Sequence, residues 1–322
     1  MISYRWCEQL VDDDRAEVLE LVRMAADYDH EAGFTAIPAA DVEAVSRAGV
    51  VVRHLPIKAR RDLSARDDAP MLVVAYLHLS IDDNGQGSVA YVVHPDYRSR
   101  GVTTTLVEEL GIDVTQPGGW VGTGATALRA WAYGSHPASE RLTGRFGIEA
   151  VRRLWTLSRN LTGPFAVDLV PASVPAGYAV NEASDMVAVT EIVGVAGLPT
   201  RQAAEVSDGI ASGTGSVLIA SDQGGQPVGF VWFDPELHEH LELRAAWVRA
   251  LVLTPQSRGS GLGTALLTRA LEELEPVGAQ TSLIRIDPED EGAVRMLRLL
   301  SYEQEDAHAC FQVGVWKEGV ES

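Results

Sequence analysis

The stretch TPQSRGSGLGTAL, residues 254–266, joins an apolar run to a helical pattern through a turn that contains three glycines. Gly259, Gly261 and Gly263 have no side chain, so a ligand can approach their backbone closely. The first N–H groups of a helix lack acceptors within the helix, and such groups bind phosphate and pyrophosphate. The stretch therefore predicts an anion site at a strand-to-helix turn, although a tight turn without a ligand has the same glycines.

Two common nucleotide-binding patterns do not fit this turn. A Walker loop needs Gly-Lys-Ser/Thr, which is absent here. A dinucleotide site needs a strand-helix-strand unit with an acidic residue about 20 positions later to read the ribose. Nucleoside triphosphates and nicotinamide cofactors are therefore disfavoured as the ligand.

The same pattern occurs twice in the chain. VAYVVHPDYRSRGVTTTLVEEL, residues 89–110, aligns with VRALVLTPQSRGSGLGTALLTRALEEL, which begins at Val248. Pro95 corresponds to Pro255, 160 positions later, and by the same offset Arg98 corresponds to Arg258 and Gly101 to Gly261. A long-period repeat of this kind indicates that one structural unit has been used twice.

The segments around the two turns follow one order: a hairpin, the turn, a helix, a strand, a short helix and a closing strand. This order predicts an α/β (α+β) fold of two tandem domains, each a mixed, mostly antiparallel sheet flanked by helices. The closing strands are predicted in residues 149–159 and 307–316. Prolines at 164, 171 and 175 mark the connection, so we expect an N-terminal domain in residues 1–165 and a C-terminal domain in residues 166–322.

The composition narrows the range of partners. A formal charge of −19 disfavours nucleic acids and anionic membranes as bulk partners. No apolar run is long enough to cross a membrane, and the first residues lack a secretory pattern, so we expect a cytoplasmic location. Cys7 and Cys310 lie near opposite ends and are expected to be reduced packing residues, and the eight histidines show no metal spacing. We expect a small-molecule ligand and no metal.

The strand ending ALVLTP, followed by Arg-x-x-Gly-x-Gly and an amphipathic helix, resembles the acetyl-CoA site of the GNAT N-acetyltransferase superfamily. The resemblance implies that acetyl-CoA is the co-substrate. Amides of the turn would hold its pyrophosphate, and the strand backbone would pair with its pantetheine arm and polarise the thioester carbonyl. The later stretch DEGAVRML, residues 290–297, resembles the second CoA-contacting helix of the family. The binding residues implied are Leu251, Val252, Leu253, Arg258, Gly259, Ser260, Gly261, Leu262, Gly263 and Thr264.

The first copy departs from this pattern at Thr103, where the family has Gly or Ala. A branched side chain there takes up space that the pyrophosphate needs. The hydroxyls of residues 103–105 can still cap the helix or contact an anion. We therefore expect the N-terminal domain to be degenerate and the C-terminal domain to carry the acetyl-CoA site.

Four stretches are similar to one group of tandem members: VAYLHLS and YVVHP around the first turn, FGIEAVRRLWTLSRNL at the end of the first half, and VGFVWF in the second half. By these stretches the chain most resembles the mycothiol synthase group, which acetylates the cysteinyl amine of a Cys-GlcN-inositol precursor. That group has a glutamate on the strand before the turn and a tyrosine on the second CoA helix, but Trp247 and Leu297 stand at these positions. Glu242 is the substitute base that we predict. His240 and Glu239 are less favoured as bases, Tyr302 is a candidate proton donor, and Arg249 suits an anionic group or an ion pair.

Three functions remain open at this point. The first is acetyl transfer from acetyl-CoA to a small primary amine, with the mycothiol precursor as the leading substrate. The second is acetylation of another amine, such as an antibiotic, a polyamine or a peptide N-terminus. The third is a non-catalytic acetyl-CoA sensor, which would keep the pyrophosphate site without the base and the acid.

Overall fold

The computed structural model describes residues 2–29, 37–60, 70–116, 118–135, 137–183, 186–198 and 200–317. The chain forms two compact units. The first consists of Met1–Arg153 together with His308–Ser322, and the second is Leu154–Ala307. Each unit is a twisted sheet with helices packed against it.

The first unit has its hairpin, turn and helices in the predicted order. Its elements are β1 (Ile2–Tyr4), α1 (Asp12–Asp29), α2 (Ala39–Val42), β2 (Val50–Arg60), β3 (Met71–Asp82), β4 (Gln86–Val93), α3 (Val102–Leu110), β5 (Ala127–Ala132) and α4 (Pro137–Phe146). Neighbouring strands pair antiparallel from β1 to β4, whereas β4 and β5 are parallel. Leu106 and Leu110 of α3 pack against one face of this sheet, and Val18 and Leu21 of α1 pack against the other.

The second unit repeats this plan. Its elements are β6 (Ala150–Asn160, from Leu154 onward), β7 (Tyr178–Glu182), α5 (Met186–Val195), α6 (Thr200–Ala211), β8 (Ser216–Asp222), β9 (Pro227–His240), β10 (Leu243–Leu253), α7 (Leu262–Leu274), β11 (Thr281–Ile286), α8 (Glu291–Leu299) and the start of β12 (Glu303–Val313). The strand order is β6-β11-β10-β9-β8-β7, antiparallel except for the parallel pair β10 and β11.

Different helices pack against the two faces of the second sheet. On one face, the apolar stripe of α7 packs with Val231, Phe233 and Val248 in the largest core. On the other face, Val189 and Ile192 of α5 pack with inward residues of β8 to β10. Because side chains alternate along a strand, the three strands β8, β9 and β10 supply both cores.

Both predicted closing strands form, and each completes a sheet other than that of the repeat it ends. Residues 155–160 of β6 pair antiparallel with β11, so the strand that follows the first repeat in sequence completes the second sheet. Residues 309–313 of β12 pair antiparallel with β5 and complete the first sheet. Each strand pairs with a partner remote in sequence, which apolar alternation alone does not specify. The boundary near residue 165 stays a prediction of where the first repeat ends.

The predicted class, a mixed and mostly antiparallel sheet flanked by helices in two tandem copies, is confirmed. Strand β9 continues past its apolar stretch to His240 and pairs there with the first residues of β10. Within the described ranges, no helix is long and apolar enough to cross a membrane.

Candidate functional site

The centre of the second sheet opens between β10 and β11. Their parallel pairing runs from Ala245 opposite Thr281 to Val248 opposite Ile284, and in the described part of the chain it goes no further. A bulge follows between Val248 and Ala250, while pairing with β9 continues on the other side to Leu253. Backbone groups of residues 249–253 therefore face the gap as an open strand edge. Such an edge binds extended ligands through main-chain hydrogen bonds.

The chain leaves this edge through a rigid turn. The Thr254 amide donates to the Val228 carbonyl at 2.9 Å, and the Ser257 amide donates to the Thr254 carbonyl at 3.0 Å. The buried hydroxyls of Thr254 and Ser257 are 3.0 Å apart. Gly259 and Gly261 then adopt φ of +75° and +88°, the left-handed region that glycine enters without strain. The turn therefore fixes where α7 begins.

The start of α7 presents backbone amides. The first intrahelical bond runs from the Ala265 amide to the Gly261 carbonyl at 3.1 Å. The Leu262 amide donates to the Ser260 hydroxyl at 3.3 Å. The amides of Gly263 and Thr264 precede the first intrahelical bond and point out of the helix end, where the helix dipole adds positive potential. This geometry fits a phosphate or pyrophosphate group.

Gly263 has a packing role that the sequence did not reveal. A Cβ atom at this position would lie 3.2 Å from Met296 Sδ and 3.3 Å from Leu253 Cδ1. Glycine therefore lets α7 approach both β10 and α8 closely. At Gly261, by contrast, the nearest atom to such a Cβ is Pro175 Cγ at 3.7 Å, which is ordinary contact. The constraint at Gly261 is its backbone conformation.

The guanidinium of Arg258 forms a hydrogen bond within the protein. Its Nη2 donates to the Ala196 carbonyl at 2.5 Å, immediately after α5. A guanidinium at this position satisfies a carbonyl of the helix end and complements the negative end of the helix dipole. Arg258 thus links the turn to α5, and its alignment with the family signature is consistent with a role in positioning the turn.

The first unit has the same turn, but a side chain stands where the second unit has Gly263. Ser99 takes the place of Gly259 at φ +61°, and Gly101 has φ +81°. The Thr105 amide donates to the Gly101 carbonyl at 2.9 Å, as at Ala265. At the place of Gly263, the hydroxyl of Thr103 accepts a hydrogen bond of 3.1 Å from Tyr91 Oη. Thr103, the residue at which the first copy departs from the family pattern, therefore joins α3 to β4 through a hydrogen bond.

The second CoA helix of the resemblance corresponds to α8. Asp290 caps it by accepting from the Ala293 amide at 2.9 Å. Leu297 is fully buried in the core under α7. Tyr302, predicted as a possible proton donor, is also buried, and its Oη is 2.8 Å from Ser282 Oγ. Burial raises the pKa of Tyr302, and its hydroxyl is engaged with Ser282, so its environment is that of a structural residue.

Polar side chains line the sheet face opposite α7, beside the point where β10 and β11 separate. The Trp247 ring lies under two guanidinium groups, those of Arg249 at 5.5 Å and Arg285 at 5.0 Å from its centre. Arg249 Nη2 donates to Asp234 Oδ2 at 3.0 Å, so Arg249 forms an ion pair, which is one of the two roles that the sequence suggested for it. Asp234 is the β9 partner of Trp247, one position before Val248, the residue at which the pairing of β10 with β11 ends.

The carboxyl of Asp234 is held in its charged form. Burial raises its pKa, but hydrogen bonds from Arg249 and the Glu236 amide and the nearby charge of Arg249 together lower the pKa below its ordinary value. His238 Nε2 lies 3.9 Å from the same carboxyl. Sequence reasoning did not select Asp234 because its position depends on the register between β9 and β10. The signal available was FVWFDP, an acidic residue at the end of an apolar strand.

Glu242 lies at the turn between β9 and β10. Leu241 and Glu242 have φ of +47° and +63°, and both are exposed. Glu242 is six positions before Val248, where the strands separate, and the structure does not place it with Trp247 and Asp234. Glu239 is exposed opposite Arg244. Whether Glu242 acts as a base stays a prediction.

His240 forms an ion pair with Glu305, with Nε2 and Oε1 2.6 Å apart. The hydrogen bond to Glu305 raises the pKa of His240 despite partial burial. The same bond lowers the pKa of Glu305. A histidine whose Nε2 is engaged with a carboxylate is not free to take a proton from a substrate, so this pair joins the β9–β10 hairpin to β12 rather than supplying a base.

Comparison with known proteins finds a family match within the second unit. Residues 187–302, from α5 to Tyr302, match the model of the acetyltransferase (GNAT) family. The mycothiol acetyltransferase of Salinispora tropica is 29% identical over 75% of this chain and 78% of its own length. That of Salinispora arenicola is 27% identical over 95% of both chains.

A solved structure extends the likeness to the whole chain. The tandem GNAT protein from the clavulanic acid biosynthesis pathway has a TM-score of 0.63 at 19% identity, over 98% of this chain and 100% of its own. This likeness concerns the fold, and it agrees with the repeat found in the sequence. Residues 187–302 therefore match the acetyltransferase (GNAT) family, and the chain is an acyltransferase with the fold of the tandem GNAT proteins.

Proposed function

We propose that this chain transfers the acetyl group of acetyl-CoA to a small primary amine, and that the second unit does so. The observation that carries the proposal is the continuity of three features: the open edge of β10, the turn that follows it and the amide-rich start of α7. An extended ligand with a pyrophosphate at one end fits this order. Acetyl-CoA has that form and supplies an activated acyl group.

The residues that would hold acetyl-CoA are those implied by the resemblance. Amides at the start of α7, including those of Gly263 and Thr264, would bind the pyrophosphate. The β10 backbone over residues 249–253 would pair with the pantetheine arm and orient the thioester carbonyl. Arg258 would act indirectly by fixing the turn to α5, since its Nη2 is engaged with the Ala196 carbonyl.

Asp234 is the group best placed to receive the amine. It lies one ladder position from Val248, on the polar face beside the gap, and its pKa is below the ordinary value. A charged carboxylate attracts and orients the ammonium form of an amine, and its lowered pKa suits the binding of a cation rather than the removal of its proton. Trp247, at the position where the mycothiol synthase group has its glutamate, would then form a wall of the acceptor site.

Comparing Asp234→Asn with Glu242→Gln tests this assignment, because both changes remove one negative charge from the same hairpin. We expect Asp234→Asn to lower kcat/KM for the amine at least tenfold and Glu242→Gln to leave it within about twofold, with acetyl-CoA affinity unchanged in both. The opposite result would restore Glu242 as the base.

The leading acceptor is the cysteinyl amine of the mycothiol precursor. The support is the similarity to mycothiol acetyltransferases over most of the chain. A different amine, or an acetyl-CoA sensor without turnover, is favoured by one observation: Trp247 and the buried Leu297 stand where the mycothiol synthase group has its two catalytic side chains.

Two assays distinguish these functions. Calorimetry with acetyl-CoA and CoA tests for the co-substrate, and release of free thiol with a panel of amines tests for turnover. Release with Cys-GlcN-inositol alone supports the leading proposal, whereas release with an antibiotic, a polyamine or a peptide supports the broader one. Binding of acetyl-CoA with no thiol release from any amine would contradict the enzyme proposal and favour the sensor.

A further inference from the structure

The first unit contains an apolar cavity of about 240 Å³. It lies between α3 and α4 on one side and β4, β5 and β12 on the other. Apolar side chains form most of its lining, among them Val89, Leu106, Leu128, Trp131, Leu142 and Phe311. All of these residues belong to the first unit, so the cavity is distinct from the candidate site beside β10.

The space is open because two side chains of the first unit are smaller than their counterparts in the second unit, and the ends of the short helices show which positions correspond. Gly147 and Ser301 both have positive φ, +65° and +61°, at the end of the short helix of each unit. The next residue donates from its amide to a carbonyl five positions earlier in both units, Ile148 to Thr143 at 2.9 Å and Tyr302 to Leu297 at 3.0 Å. Thr143 and Ile148 thus stand where the second unit has Leu297 and Tyr302.

The larger pair fills the second unit. Leu297 and Tyr302 are fully buried and belong to the core that α7 covers. In the first unit, the smaller Thr143 and Ile148 line the cavity. Helix α3 is also shorter than α7, with nine residues against 13. The same framework is therefore closely packed in one unit and hollow in the other.

Three hydroxyl groups of the cavity lining, those of Tyr91, Thr103 and Thr143, are already engaged within the protein. Tyr91 Oη donates to Thr103 Oγ1 at 3.1 Å, across the place where glycine in the second unit exposes the helix end. Thr143 Oγ1 donates to the Ser139 carbonyl at 2.8 Å. Among the described residues that line the cavity, none has a charged side chain. A charged ligand would lose its hydration here without gaining a partner.

We propose that this cavity binds an uncharged aliphatic chain of about ten carbon atoms. An apolar protein cavity of about 150 Å³ takes up benzene, so by proportion a volume of 240 Å³ accommodates on the order of ten carbons. The first unit is then a binding module for an apolar molecule, built from the cleft of a repeat whose anion-binding end is closed by Tyr91 and Thr103.

Isothermal titration of the full chain with straight-chain 1-alkanols of increasing length tests this proposal. Each added methylene that is buried should raise affinity about fourfold, which corresponds to about 0.8 kcal/mol, until about ten carbons and then no further. Decanoate, of equal length but charged, should bind at least tenfold more weakly than decanol. Absence of this length dependence, or equal binding of decanoate, would overturn the proposal.

Two variants assign the binding to the cavity. Thr143→Leu and Ile148→Phe introduce side chains close in size to those of the second unit at the same positions, and either one should weaken decanol binding at least tenfold. Ala179→Leu, on the exposed face of β7, adds three carbon atoms elsewhere, as many as Ile148→Phe adds in the cavity, and should leave binding unchanged. Circular dichroism identifies which variants are folded. Unchanged decanol binding in a folded cavity variant, or displacement of decanol by CoA, would refute the assignment.

Discussion

Replacing Gly263 with threonine would give the second turn the residue that the first turn has at position 103. A Cβ atom there would lie 3.2 Å from Met296 Sδ and 3.3 Å from Leu253 Cδ1, and the two further atoms of threonine need additional space. Overpacking of this kind costs about 1–3 kcal/mol. Threonine recovers a few tenths of a kcal/mol because it favours a helix more than glycine does. We expect the free energy of unfolding to fall by about 1–2.5 kcal/mol.

The same change should weaken acetyl-CoA binding at least tenfold. The added atoms push against Leu253 on the strand edge proposed for the pantetheine arm, and a loss of about 1.4 kcal/mol in binding is one factor of ten. Titration calorimetry on folded protein measures this affinity. The matched control is Thr103→Gly, which removes the hydrogen bond from Tyr91 and destabilises the first unit by about 1–3 kcal/mol, without changing acetyl-CoA affinity. Wild-type affinity in a folded Gly263→Thr protein would refute the proposed cradle.

Two further predictions concern Tyr302 and the pair of His240 with Glu305. Tyr302→Phe should lower the free energy of unfolding by about 1–3 kcal/mol in chemical denaturation, because the buried Ser282 hydroxyl loses its partner. The turnover of the folded enzyme should stay unchanged. Slower turnover at normal stability would instead identify Tyr302 as the proton donor. The raised pKa of His240 stabilises the folded state fully below the ordinary histidine pKa, and this stabilisation is lost as pH rises through the pKa of the folded state. The lowered pKa of Glu305 stabilises the folded state fully above the ordinary glutamate pKa, and this stabilisation is lost as pH falls through the pKa of the folded state. His240→Gln should therefore be less stable than the wild type by up to about 1 kcal/mol between about pH 4.5 and 6.5, and a difference that grew above pH 8 would contradict the assigned charges.

The repeat carried most of the fold prediction. The matched positions around Pro95 and Pro255 placed the hairpins, turns and helices, because turn residues and apolar periodicity act locally. The partners of the two closing strands did not follow, since β6 and β12 have apolar patterns that suit either sheet. Their pairing with β11 and β5 depends on contacts remote in sequence.

The glycine turn could be predicted as an anion site, and the structure adds the reason for each glycine. Gly261 is needed for its backbone conformation, whereas Gly263 is needed because α7, α8 and β10 meet there. The polar face beside the gap could not be predicted from the sequence, because Asp234, Trp247 and Arg285 come from three different strands. Only the ladder register brings them together.

Acetyl-CoA binding in a matched pair of turn variants tests the central claim most directly. Gly261 and Gly101 have nearly the same conformation, with φ of +88° and +81°, so valine introduces comparable backbone strain at either position. Calorimetry should show that Gly261→Val abolishes acetyl-CoA binding to the second unit, whereas Gly101→Val retains it. No binding to the wild-type chain, or loss of binding in Gly101→Val with retention in Gly261→Val, would contradict the account.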